Sequence, residues 1–213
     1  MEELMVRKDV WDTMVYLYFG NTDNCYKAAS TKAYLDLCRT IKFVNSNNQE
    51  ERAQVRKVVD LMLEEKIKAL ANHGTVSQES YDAWHKEFCN EIVKQYDKIC
   101  GNQFCIGQAQ KWINMTIKYL YLINNECVKT ISDFAHVPLD NYVFDAAKDS
   151  LCLTSAPPIP WSKITDYNIY LDYQKEIRNA IKADKAVTLA TNSPLQWELV
   201  YWLEQAKTHN LAL

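Results

Sequence analysis

Glycine is scarce in this sequence: four residues in a chain of 213, beside five prolines, three of which cluster at Pro157, Pro158 and Pro160. So few backbone punctuators exclude a fold of many short strands and tight turns, and they favour long helices. No stretch approaches the roughly 18 uncharged apolar residues that a spanning helix needs, so no membrane contact is expected. The nearest approach, Trp112 to Leu122, is short and carries Asn114 and Lys118. No basic region precedes an apolar run at the N-terminus, so a secretory signal is not expected. The seven cysteines form no Cys-x-x-Cys pair. With no export signal, that pattern predicts reduced thiols in a cytoplasmic protein. His85 and Cys89 can share a helix face, but two ligands do not make a zinc site, and neither metal nor cofactor is expected. Also missing are Gly-x-x-x-x-Gly-Lys, Gly-x-Gly-x-x-Gly, Gly-x-Ser-x-Gly and the Arg-x-x-x-x-His pair of small helical ribonucleases.

What is present is helical patterning. The formal net charge of -3 excludes a uniformly basic nucleic-acid binder, although Lys98, Lys111 and Lys118 lie in a stretch, 98 to 125, with no acid. A helix is predicted from Arg7 to Phe19, stopping at Gly20, and a second from Thr22 or Asp23 through Ile41. A third runs from Gln49 to Gly74, with Val55, Val59, Met62 and Leu63 on one face and mixed charges on the other. Ser77 caps a fourth that ends at Gly101, and a fifth, apolar nearly all round, spans Gly107 to Ile123 and so belongs in the interior. A sixth starts at Pro138, and further helices cover Asp166 to Ala183 and Pro194 to Lys207, the last behind a Ser193 capping box. The one strand-like piece is Ala186 to Leu189. The sequence predicts an all-α, single compact multi-helix domain over residues 1–213. Within it fall an N-terminal part (1–75), a site-bearing part (80–148) and C-terminal helices (160–210).

Two residues stand out for chemistry. Lys111 sits one turn into the fifth helix behind Gly107 and Ala109, and Asp140 lies 29 residues later at the next helix start. Helix starts carry unpaired amides and partial positive charge, suited to a phosphate. Desolvation there favours the neutral amine, which is the nucleophile. Each residue also has a plain structural account: a surface lysine at a helix start, and an acid favoured there by the dipole. His136 reads in the same way as a satisfied core or loop histidine.

Gly107-x-Ala109-x-Lys111-x-x-Asn114 resembles the hairpin signature of the helix-hairpin-helix DNA glycosylases, Gly-x-Gly-x-Lys. The segment Val137-Pro138-Leu139-Asp140-Asn141-Tyr142-Val143 is similar to that family's apolar-Pro-x-Asp-x-x-Val. The resemblance covers residues 80 to 148, as in a divergent bacterial member. It departs in Ala109 for the second glycine, in an insertion at Asn124 to Asp133, and in Asn141 and Tyr142 after the aspartate. It implies an all-α fold with a hairpin element, and a base-excision enzyme, a hydrolase or lyase, in DNA repair or defence against foreign DNA. By the same resemblance Gly107, Gln108, Ala109, Gln110 and Lys118 contact DNA, with main-chain amides on a phosphate. Lys111 would attack the sugar carbon and Asp140 would stabilise the oxocarbenium ion. An extruded base needs an aromatic pocket, for which Trp84, Trp112, Tyr119 and Phe134 are candidates. The alternative is a non-enzymatic helical interaction or regulatory module, favoured if Trp161, Trp197 and Trp202 form an exposed patch. The oligomeric state stays open.

Overall fold

Short polar side chains that can take up the first unpaired amides of a helix set most of the element starts. A computed structural model describes residues 7–45, 48–184, 187, 191 and 193–211. Its helices are α1 (Lys8–Phe19), α2 (Cys25–Leu37), α3 (Gln49–Ala71), α4 (Gln78–Cys100), α5 (Ile106–Leu122), α6 (Glu126–Lys129), α7 (Asn141–Leu151), α8 (Tyr167–Ala183) and α9 (Pro194–Leu211). No strand occurs among the described residues; Ala186, Thr188 and Leu189, within the expected strand-like piece, lie outside them.

Asn24, Asn48, Ser77, Asp140, Asp166 and Ser193 each accept a backbone N–H at 2.8–3.3 Å from the helix they precede. Two expected boundaries move for this reason. The second helix is capped by Asn24 instead of Thr22 or Asp23, and it gives way after Leu37 to a 3₁₀ turn, Cys38–Thr40. The sixth starts at Asn141, since Pro138 lies in an extended segment and the carboxylate of Asp140 provides the cap. The third stops three residues short of Gly74, at Ala71.

The fold is arranged round α5, whose residues from Ile106 to Leu120 are all buried. Ala29 and Ala33 on α2 are fully buried and let that helix lie close against it. Phe88, Ile92 and Tyr96 of α4 fill the adjoining side, and α7, α8 and α9 pack together beyond the extended segment before α7. Gly107 has a specific packing reason. A Cβ there would lie 1.8 Å from the carbonyl oxygen of Trp161, and its own N–H donates to Ile164 O at 2.9 Å. The turn Trp161–Lys163, delivered by the proline-rich link, therefore seats directly on the first turn of α5. By contrast α1 buries none of its residues, and Val10, Met14 and Leu17 form an exposed stripe.

Candidate functional site

The segment that carries Asp140 is held from both flanks by side-chain amides. From α5, Gln110 donates to Leu139 O and accepts from Leu139 N, both at 3.3 Å, while Asn114 donates to Val137 O. From α8, Gln174 donates to Val137 O at 2.8 Å and accepts from Val137 N. An extended segment with no neighbouring strand has its buried polar groups satisfied in this way. Pro138, lacking an N–H, contributes only a carbonyl, which accepts from Lys111 Nζ at 3.1 Å.

The result is a Lys111 Nζ to Asp140 Oδ2 contact of 2.7 Å, with the lysine 4% exposed. The other carboxylate oxygen of Asp140 accepts from Val143 N at 2.9 Å, so both its oxygens are engaged. Two turns further along α5, Lys118 pairs with Glu198 of α9 at 2.7 Å, both nearly wholly buried. Burial pushes the Glu198 carboxyl up, against the pull of Lys118.

Both lysines, with Asp140, line one cavity of about 620 Å³. Its walls are aromatic: Tyr18 and Phe19 of α1, Tyr119 of α5, Tyr142 of α7, Trp161 and Trp202. Lys118 Nζ lies 4.6 Å from the centroid of the Trp202 ring and Lys111 Nζ 5.8 Å from that of Trp161. Asp36 of α2 also faces the cavity and accepts from Tyr119 Oη at 2.7 Å; Tyr18 Oη sits 3.3 Å from the same hydroxyl. Burial raises the Asp36 carboxyl above its ordinary range, opposed by the Tyr119 hydrogen bond and by Lys111 and Lys118. Arg39, exposed, stands at the rim.

Outside the lining of this cavity lies a chain of polar groups in the core. Tyr170 accepts from Asn114 Nδ2 and faces His136 Nδ1, both at 2.8 Å, and His136 Nε2 meets Asp82 Oδ1 at 2.7 Å. Arg178 forks the same carboxylate from α8. His85 is held by Asn114 and Tyr167 at 3.0 and 2.8 Å. Burial keeps both imidazoles below their ordinary pKa, so each is neutral at pH 7. Burial opposes the Asp82 charge, but His136, Gln78 and Arg178 together outweigh it and hold the carboxyl down to about 2. His136 is therefore a satisfied core histidine. Among the described residues no group of three His, Cys, Asp or Glu side chains could hold a metal ion, and no helix is long and apolar enough to cross a membrane.

The structure brings Lys111, Lys118 and Asp140 to one cavity, and it corrects other expectations. Gly107, Gln108, Ala109 and Gln110 are buried, and the first three amides already donate to Ile164 O, Cys105 O and Cys105 O. Gln108 spends its side chain on Thr40 O and Cys105 N, and Gln110 on the Asp140 segment. The amides of Gly107, Gln108 and Ala109 are thus already engaged within the fold. Lys118 is buried against Glu198, which likewise removes it as a surface phosphate contact.

None of Trp84, Trp112 and Phe134 lines the cavity. Trp112 is fully buried, donates to Ser30 and packs on Tyr34 and Tyr96; Trp84 packs on α4 neighbours Tyr81 and Phe88. Trp197 is core and Trp161 and Trp202 are half-buried cavity walls, so these three tryptophans do not make an exposed patch. Of the aromatics read from sequence as base-stacking candidates, Tyr119 alone reaches the cavity. Sequence reasoning missed Asp36, Arg39, Tyr18, Tyr142, Trp161 and Trp202 as wall residues, since nothing in their local spacing points to a shared hollow. No family model, curated protein or solved structure matches this chain.

Proposed function

We propose that the cavity takes a nucleobase extruded from DNA and that the chain is a base-excision glycosylase with a lysine nucleophile. The observation that carries this reading is the Lys111–Asp140 contact of 2.7 Å on the wall of an aromatic cavity of about 620 Å³. Such a volume accommodates a base with its sugar, and flat aromatic walls suit an unstacked ring.

In this reading Asp140 accepts a proton from the Lys111 ammonium and leaves a neutral amine. The amine attacks C1′ of the deoxyribose, the C1′–N bond breaks, and the base departs with the bonding electrons and takes up a proton. The base takes that proton from Asp140, and the carboxylate so restored, 2.7 Å from the amine, stabilises the positive charge of the sugar–lysine adduct. The C1′–O4′ bond of the sugar–lysine adduct then opens, O4′ taking up the proton that the nitrogen loses, and the resulting imine is reduced by borohydride to a stable link. Strand contact falls to Arg39 at the rim and to Lys32, whose Nζ lies 4.1 Å from the Tyr18 ring centroid, in place of the occupied start of α5.

The test is incubation with duplexes containing uracil, oxidised guanine or methylated bases, followed by borohydride. The expected result is a covalent protein–DNA adduct with at least one duplex that disappears in Lys111→Ala. Adducts of equal yield from parent, Lys111→Ala and Asp140→Asn would refute the assignment, as would their absence with every duplex.

One observation favours the second reading, an interaction module. The outward stripe Val10, Met14 and Leu17 of α1 has no covering element among the described residues, with Leu17 79% exposed. Retention on DNA separates the two: binding through phosphates weakens steeply as salt rises, whereas an interaction module shows none to weaken.

A further inference from the structure

Two carboxylates line the cavity, Asp36 and Asp140, and a third, Glu198, is buried against the cavity lysine Lys118; they differ in what holds them. Asp140 and Glu198 each lie 2.7 Å from a lysine ammonium. Among the described residues Asp36 has no cation within 4.0 Å, and its one hydrogen bond is the 2.7 Å contact from Tyr119 Oη to Oδ2. That hydroxyl is itself in contact with Tyr18 Oη at 3.3 Å, and Phe19 packs edge-on to the Tyr119 ring with centroids 5.4 Å apart. The Asp36 carboxylate is thus oriented by a braced phenol while its remaining acceptor sites face the hollow.

The surroundings narrow what it can bind. An ionised carboxylate only accepts hydrogen bonds, so the ligand must bring donors. A cationic ligand is disfavoured, because Lys111, Lys118 and Arg39 line the same cavity. An anion would meet Asp36 and Asp140. Aromatic walls favour a flat ring. A neutral planar ring with two neighbouring N–H donors on one edge satisfies all of these conditions.

Among nucleobases that edge belongs to guanine, whose ring N1–H and 2-amino group lie side by side. Adenine and cytosine set an amino group beside an acceptor nitrogen, and uracil and thymine set one N–H between two carbonyls; a carboxylate repels each of those acceptors. We infer that Asp36 reads the ligand of this cavity and selects bases with a guanine-type donor edge. The inference rests on the nucleobase reading of the cavity given above, and it names the substrate class.

The experiment uses the full chain and free nucleosides: deoxyguanosine, deoxyinosine (which lacks the 2-amino donor), deoxyadenosine and deoxyuridine. Binding is followed by tryptophan fluorescence, since Trp161 and Trp202 line the cavity, and confirmed by calorimetry. Loss of one hydrogen bond to a charged acceptor corresponds to about tenfold or more in affinity. Deoxyguanosine is therefore expected to bind about tenfold tighter than deoxyinosine and tighter still than the other two. Asp36→Asn is expected to abolish that ranking with its melting temperature unchanged. Tyr119→Phe, which keeps the carboxylate but removes its brace, is expected to weaken deoxyguanosine binding and to keep the order of the ranking.

Equal binding of all four nucleosides, no binding of any, or an unchanged ranking in Asp36→Asn would overturn the inference. So would loss of the ranking in Tyr119→Phe alone. A borohydride adduct from DNA without nucleoside discrimination would overturn this inference and leave the glycosylase reading intact. Nucleoside discrimination without an adduct from any duplex would support a guanine-reading site and overturn the glycosylase.

Discussion

Gly107→Ala discriminates between two roles for the small residues that precede Lys111. If Gly107 serves a DNA phosphate through its amide, alanine folds like the parent and loses DNA contact. If it serves the close approach of the chain to itself, alanine destabilises the fold. The structure points to the second role: the added Cβ would lie 1.8 Å from Trp161 O and 2.9 Å from Trp161 C, both backbone atoms that cannot rotate aside. Relief requires the turn Trp161–Lys163 to retreat by more than an ångström, which stretches the 2.9 Å Gly107 N to Ile164 O hydrogen bond. Overpacking of this kind costs about 1–3 kcal/mol, and the hydrogen bond adds about 0.5–1.5 kcal/mol. Helix propensity returns up to about 1 kcal/mol in alanine's favour. The net is a loss of about 2–3 kcal/mol, a fall of roughly 5–10 °C in melting temperature for a chain of this length. Thermal melting followed by circular dichroism measures it. A Gly107→Ala protein that melts within about a degree of the parent would refute the packing account.

Other consequences follow from the buried charges. Lys118→Met strands the Glu198 carboxylate, whose Oε2 has no hydrogen-bond partner among the described residues. A loss of about 3–5 kcal/mol in urea unfolding is expected, and Lys118→Met with Glu198→Leu should recover most of it; additive losses would show that the pair is not coupled. Asp82, held down to about 2 in the folded chain against an ordinary 3.8, stabilises the fold above pH 4. That contribution fades between about pH 4 and pH 2, and it amounts to about 1–2 kcal/mol after discount for partial exposure. Asp82→Asn should flatten that acid limb, and an unchanged limb would remove Asp82 from the account. His85 and His136, kept neutral by burial, make stability decline as pH falls below the ordinary imidazole value, because the unfolded chain takes up protons that the folded one refuses.

The helical architecture was legible because it depends on local signals. Caps at Ser77 and Asp166, stops at Gly20 and Gly101, and an all-round apolar α5 are written in consecutive residues. The meeting of Lys111 with Asp140 was legible too, from a lysine in the second turn of α5 and an acid at the start of a later helix, although α6 lies between α5 and α7. The direction in which polar side chains face was not. Gln108 and Gln110 look like residues for solvent or a phosphate, and they point inward because α5 is buried on every side, where polar groups must find protein partners. The cavity wall was equally hidden. Tyr18, Asp36, Tyr142, Trp161 and Trp202 come from five separate parts of the chain, and no spacing rule links them. Trp112 failed as a stacking residue for the same reason that α5 succeeded as a core helix: its position on an interior helix commits its indole to Ser30.

The two aspartates of the cavity are free to do different things. Asp140 is fixed at both oxygens, by Val143 N and by Lys111 Nζ, on a segment clamped by Gln110, Asn114 and Gln174. A group so fixed keeps one geometry whatever enters, which suits charge stabilisation at a set point, where preorganisation lowers the barrier. It is a poor reader of ligands, because both its oxygens are already engaged. Asp36 is the converse: anchored at one oxygen by Tyr119 and half-buried, it keeps acceptor sites for an incoming edge. The proposed glycosylase uses one group of each kind, Asp36 on α2 and Asp140 at the start of α7. Loosening the clamp should therefore disturb the two unequally: Gln174→Ala frees the Val137 backbone and so blurs the Lys111–Asp140 contact, while Asp36, on α2, keeps its Tyr119 partner.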